Sequence, residues 1–377
     1  MESRQYAVLL IGALTSLILL IMLLSWIWVR QPQTGDLARI GGYVEARYES
    51  RNEDPRTAFP RPLFVSLDNH EGGLFDVLVL GDSFSYTGGR YNWVSQFAAQ
   101  TGLKVRVASI HRWWNAWRML ENASAPPPLI ILQSVERDVV DHLANINHLL
   151  QRSGGSLSQS ATTVPASQPM PGPLAGLERS PLPAKAFGSF DERISVTVDV
   201  LWKSMRRHLG WPRGEVVTFT RDTRRPPAFS AVEQELFVTI PADLASRNPQ
   251  PRRWQQALEG LGRLRSRLNS TAKSHLALLV VPNRLSVYGP QLVDFPLGEK
   301  MPIAVRLARE TASFNAVEVL QASVSEGIQD VYWAMDTHLS AVGSELLARG
   351  FVQWLERQGV LQRDSVIKSP LRKNAPG

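Results

Sequence analysis

The sequence predicts an α/β fold, a parallel sheet flanked by helices, carried on an N-terminal transmembrane helix. Three observations predict it. Short apolar runs at DVLVL (76–80), KVRVA (104–108) and PLIILQ (128–133) alternate with amphipathic stretches at 91–101 and 114–122, the strand-helix repeat of right-handed crossovers. Another apolar run, LALLVV (276–281), stands beyond a long interruption and can complete the same sheet. Residues 6–29 carry no charged side chain and at helical rise span about 36 Å, enough for a bilayer core of about 30 Å.

That apolar run is too long for the core of a cleaved signal peptide, and no small-x-small site follows it before Arg30, so it reads as an uncleaved anchor. Trp26 and Trp28 sit at one end, where an interfacial aromatic belt places them. Arg4 lies on one side of the span and Arg30 and Arg39 on the other, so flanking charge does not set its orientation. Residues 30–70 are polar, Arg-rich and broken by Pro55, Pro60 and Pro62, as a stalk would be. The first part of the globular domain occupies 71–151 and closes with a helix over about 138–151. Residues 152–187 hold six prolines and six serines with little apolar periodicity and read as a flexible insertion. The second part, 188–360, shows helices around 191–208, 251–272 and 302–314. It also shows the strand 276–281 and a second strand, AVEVL (316–320). A final helix over 340–358 presents Val342, Leu346, Leu347, Trp354 and Leu355 on one face, and 361–377 form a tail.

Composition narrows the function. Of 377 residues 44% are hydrophobic, enough for a packed core, and a net charge of +7 suits an anionic partner such as acidic polysaccharide or lipid headgroups. The basic excess is spread along the chain without a recognition element, which argues against nucleic acid. The absence of cysteine rules out disulfides and thiol nucleophiles, and no metal-ligand cluster or phosphate loop occurs, so neither a metal nor a diffusible cofactor is expected. Trp113, Trp114 and Trp117 have helix-face spacing, which favours core packing over a sugar-stacking wall. The arginines at 252, 253, 263, 265 and 267 fit a solvated helix face, with acidic-glycan binding as the second reading.

The first apolar strand runs into GDSFSYTGGR (81–90), which puts Ser83 at the carboxyl edge of a parallel sheet, where open α/β folds bind their ligands. A serine hydroxyl needs a base to become a nucleophile, and the base needs an orienting carboxylate. Among the seven histidines, His338 follows Asp336 by two positions in YWAMDTHLSAVG (332–343). In extended chain that spacing points both side chains the same way, so the carboxylate can hold Nδ1 while Nε2 faces the serine. Alone, the pair reads sooner as a helix cap or a polar loop; with Ser83 it makes a triad. His111, in HRWWNAW, is the rival base but has no carboxylate within four residues. Asp82 reads as a side chain that locks the turn rather than as a catalytic acid. The Ser83 backbone N–H and Ser109, at the end of the second strand, are the candidate oxyanion donors. Arg137 either pairs with Glu136 or another buried carboxylate, or lines the acyl pocket.

GDSFSYTGGR resembles the first block of SGNH (GDSL-type) hydrolases, and DTHLS (336–340) resembles the Asp-x-His motif of the SGNH-like alginate O-acetyltransferase family. SVERD (134–138) is similar to the Val-Glu-Arg block of that family. VVPNRLSVYGP (280–290) is similar to its Pro-x-Lys-x-x-x-Tyr segment, with Arg284 in place of lysine. The similarity covers about 74–150 and 270–355. In the alginate proteins the Asp-x-His block precedes the serine block, so the two halves look circularly permuted here, and the Gly-x-Asn-Asp block of SGNH esterases is missing. The resemblance implies an SGNH-like domain facing the periplasm, with residues 1–5 as a short cytoplasmic tail. It implies acetyl transfer to an exopolysaccharide through Ser83, His338 and Asp336, with Arg137 and Arg284 at the substrate. A membrane-bound O-acyltransferase would supply the acetyl groups. Two other readings stay open: a carbohydrate acetylesterase of the same mechanism, and a non-catalytic scaffold of an acetylation complex.

Overall fold

The computed structural model describes residues 3–28, 57–67, 75–87, 89–112, 117, 120, 126–152, 180–181, 189–209, 218–220, 237–239, 242–243, 246–271, 274–291, 301–333 and 336–361. Its centre is a five-stranded, wholly parallel sheet formed by β1 (Phe64–Ser66), β2 (Val77–Gly81), β3 (Val105–Ser109), β4 (Leu129–Val135) and β5 (His275–Val281), in the order β1-β3-β2-β4-β5. The helices are α1 (Ser3–Trp28), α2 (Ser83–Tyr86), α3 (Trp93–Thr101), α4 (Val139–Arg152), α5 (Phe190–His208), α6 (Pro251–Thr271), α7 (Arg284–Tyr288), α8 (Ile303–Thr311), α9 (Ala316–Ser325) and α10 (Ala341–Arg357). Two short antiparallel pairings, Thr57–Ala58 with Ser180–Pro181 and Thr218–Thr220 with Phe237–Thr239, lie apart from the sheet.

Helices cover both faces, which is why the central strands are continuous apolar runs instead of alternating ones. Val77 and Val79 of β2 point into a core with Trp93, Phe97, Leu347 and Phe351 of α3 and α10. Leu78 and Leu80 point the other way, toward Leu143, Leu261 and Leu264 of α4 and α6. Each of these buried aliphatic side chains contributes about 1.5–3 kcal/mol.

The order of the strands positions the site. The chain leaves β2 for β3 on one side, then returns past β2 to place β4 on the other, so the carboxyl ends of these three strands flank a topological switch point. Ser83 stands there.

Two elements differ from the sequence reading. AVEVL is not a strand but the start of α9: Ala316, Val317, Leu320 and Val324 are buried at helical spacing, and the Asn315 side chain accepts from the Glu318 N–H at 3.4 Å as a cap. β1, within the stretch read as stalk, joins the edge of the sheet beside β3; three residues following Pro60 and Pro62 give a short edge strand of the kind that tolerates proline. Of the helix expected over 114–122, Trp117 and Leu120 lie within the described residues, both helical and buried. Trp113 and Trp114, most of the 152–187 insertion and the 362–377 tail lie outside them.

The first helix, α1, is long and apolar enough to cross a membrane over Ser3–Leu23, with none of that window buried against the rest of the chain.

Candidate active site

After β2 the chain turns at Asp82 and opens α2 with Ser83. Gly81 is required by close approach: a Cβ there would lie 2.1 Å from Ser85 Oγ and 2.7 Å from Gln133 Oε1. Asp82 is buried, and its carboxylate accepts from the Phe84 N–H at 3.0 Å, the Gln133 side-chain amide at 3.0 Å and the Val135 N–H at 2.6 Å. Its own N–H donates to Gln133 Oε1 at 3.0 Å, which also accepts from the Ser85 hydroxyl. With both oxygens occupied by backbone and amide donors, Asp82 ties the turn to β4 and faces no reacting atom. Gln133, a polar residue inside an apolar strand, is the partner that the sequence reading passed over.

Residues 330–333 and 336–340 hold His338 against the serine. Tyr332 and Leu339 form an isolated antiparallel bridge, Trp333 N–H donates to the His338 carbonyl at 3.1 Å, and Ser340 N–H donates to the Val331 carbonyl at 3.1 Å. The Ser340 hydroxyl donates to the Asp330 carbonyl and also caps α10 by accepting from the Gly343 N–H. Gly343 lies so close under the loop that a Cβ would meet the Val331 carbonyl oxygen at 1.9 Å. Within this frame His338 Nε2 lies 3.0 Å from Ser83 Oγ, and His338 Nδ1 lies 2.7 Å from Asp336 Oδ1.

The same Asp336 oxygen accepts from the His338 backbone N–H at 3.0 Å. The pair therefore meets through an Asx turn, not along extended chain as the spacing argument had it. A carboxylate on Nδ1 holds the proton there and leaves the Nε2 lone pair for the hydroxyl. The histidine and aspartate side chains are 26% and 18% exposed, so the array opens to solvent.

Phe84 stacks on the His338 ring with centroids 4.4 Å apart, and the Arg137 guanidinium lies 6.0 Å from the other ring, that of Phe84. Arg137 pairs with the buried Asp243 carboxylate at 3.2 Å rather than with Glu136. Glu136 is buried and accepts from the Asn283 and Ala304 N–H groups, at 2.9 and 3.2 Å, joining β4 to the starts of α7 and α8. Burial raises its pKa, against the pull of these donors and of the Ser286 hydroxyl. Arg284, expected at the substrate, is only 1% exposed; its Nη1 donates to the Asp336 carbonyl at 3.5 Å, beneath the chain that carries Asp336 and His338. Burial lowers its pKa, opposed by Tyr288 and Asp336.

Ser109 is level with Gly81 in the sheet, at the end of the neighbouring strand, and its hydroxyl accepts from the His111 N–H at 3.3 Å. The hydrogen-bond partner of Ser83 Oγ is His338, and His111 has other neighbours. It packs edge-on against His142 at 5.2 Å and lines, with Ile110, His142, Asn145 and His148, a cavity of about 300 Å³ between the end of β3 and α4. Three arginines of α6 tie it to its neighbours: Arg253 to Asp141 at 2.7 Å, Arg265 to the Thr311 carbonyl, and Arg267 over the Trp117 ring. Trp117 is accordingly a core residue.

His142 makes a hydrogen bond of 2.7 Å with Ser134 through Nδ1. Burial lowers its pKa, with Asp138, Asp82 and Asp141 opposing and His111 adding to the shift. A histidine whose folded pKa lies below its unfolded value of about 6.5 contributes stability above that pH and loses it as pH falls toward the folded value. Thermal melts are expected to fall below about pH 6.5, and His142→Asn, which keeps a polar partner for the Ser134 hydroxyl without a titrating ring, to flatten that fall. An acid limb unchanged in the variant would assign it elsewhere, with His275, also lowered by burial, next in line.

The fold and the array define a class by geometry: a parallel α/β sheet presenting a hydrogen-bonded serine, histidine and aspartate at its carboxyl edge, an arrangement able to form and discharge an acyl-serine. No family model, curated protein or solved structure matches the chain.

Proposed function

We propose that the chain is a membrane-anchored, SGNH-like O-acetyltransferase that acylates an exopolysaccharide on the periplasmic face of the inner membrane. The observation that carries the reading is the unbroken line of hydrogen bonds from Ser83 through His338 to Asp336, at 3.0 and 2.7 Å, assembled from opposite ends of the domain. Ser83 Oγ attacks the donor carbonyl as its proton passes to His338 Nε2, and the Ser83 N–H steadies the oxyanion with Ser109 beside it. His338 then gives the proton to the leaving group. In the second half a sugar hydroxyl loses its proton to His338 and attacks the acetyl-serine; the Ser83 Oγ–acyl bond breaks, His338 Nε2 returns the proton to Ser83 Oγ, and the acetylated sugar leaves. The resemblance supplies the donor route, a membrane-bound O-acyltransferase partner, and the polysaccharide acceptor. The basic balance of the chain suits an anionic polymer.

Water as the acceptor, an acetylesterase, is the second reading, and the exposure of His338 and Asp336 favours it. The two are separated by following p-nitrophenyl acetate with and without oligouronate and neutral glucan oligosaccharides. Acetylated oligosaccharide at the expense of free acetate is the expected result. Acetate release indifferent to every acceptor would assign the esterase.

A further inference from the structure

We propose that one face of α5 rests on an anionic lipid surface beside the membrane anchor. The inference depends on α1 spanning the bilayer and is independent of the chemistry at Ser83. Val198, Trp202, Met205 and Leu209 are 49%, 47%, 42% and 54% exposed. At about 100° per residue they fall within an arc of about 60°, a continuous apolar stripe along the C-terminal half of the helix. Scattered apolar residues on a surface need no partner; four in register do.

Two observations identify lipid as that partner. The helix lies against α1, so the stripe belongs to an element already tethered at the membrane. Its C-terminal half is also basic: the acidic residues Asp191, Glu192 and Asp199 lie earlier in the helix, and between Asp199 and Glu215 the chain carries Lys203, Arg206, Arg207 and Arg213 and no acidic residue. Arg206 adjoins Trp202 on the helical wheel, and Lys203 and Arg207 lie toward the opposite face. An apolar stripe containing tryptophan, with an arginine at its edge and cations on the polar side, is the composition of a helix that lies in the headgroup region. A spanning helix would exclude those charges, and a fully solvated one would not gather the apolar side chains. Together with the anchor, this second attachment restricts rotation of the domain about its tether.

The chain contains no cysteine, so a single substituted thiol reports one position. The full-length protein is reconstituted in phosphatidylcholine and phosphatidylglycerol vesicles with a nitroxide at Met205→Cys, Leu209→Cys or Lys203→Cys. Collision with oxygen, which partitions into lipid, is compared with collision with a water-soluble nickel chelate. Labels at 205 and 209 are expected to lose access to the chelate while keeping access to oxygen, with the label at 203 open to the chelate. Equal chelate access at 205 and 203 would place the stripe in water and overturn the proposal. Protection at 205 from both reagents would overturn it in favour of a protein cover, such as a second copy of this chain.

Discussion

Ser83→Ala is expected to lower turnover of an acetyl ester by about 10⁴-fold or more, with the melting temperature unchanged. The hydroxyl is the only atom removed, and in the fold its described partner is His338 Nε2. The turn itself is held by Asp82, Gln133 and the Phe84 N–H, none of which the substitution touches. His338→Ala is expected to cost a similar factor, and the double variant little more than either, because the two groups act as one unit. In cells, loss of Ser83 is expected to abolish acetylation of the polymer. Unchanged acetylation would sink the catalytic reading and leave the scaffold.

Asp82→Ala has the largest expected effect on stability. The carboxylate is buried and accepts from two backbone N–H groups and one amide; its loss strands the Phe84 and Val135 donors without water to replace it. Leaving two buried backbone N–H groups unsatisfied costs about 1–3 kcal/mol each, which together lowers the melting temperature of a domain this size by roughly ten degrees. Asp82→Asn, which keeps the shape but turns an amide N–H toward one of the donors, is expected to fall between. Thermal and urea melts read the difference. An Asp82→Ala protein that melted like the parent yet lacked activity would move Asp82 from the frame of the turn into the chemistry.

The strands around Ser83 are legible in the sequence because both faces of the sheet are covered, which leaves unbroken aliphatic runs such as VLVLG and LIILQSV. AVEVL shows the limit of that argument. Five residues satisfy both a strand and a helix period, and the deciding signal was the capping Asn315 in front of them. The β1 strand was hidden by its length and by the prolines before it. Serine, base and carboxylate were legible because each type is dictated by chemistry and the aspartate and histidine are close in sequence. What the sequence could not show is how they are held. Gln133 and Asp243 act through contacts across 51 and 106 positions of chain, and Phe84 stacks on His338 from the other end of the domain. The same holds for Arg284, whose family position suggested substrate and whose burial puts it beneath the Asp336 loop.

The most direct test of the central claim is to quench the full-length protein during turnover of p-nitrophenyl acetate and map the acetyl group by peptide mass spectrometry. A single acetyl adduct on Ser83 is expected, formed in the parent, absent in His338→Ala, and discharged faster when an acceptor oligosaccharide is present. Turnover with no adduct at Ser83, or with the acetyl group on another residue, would contradict it.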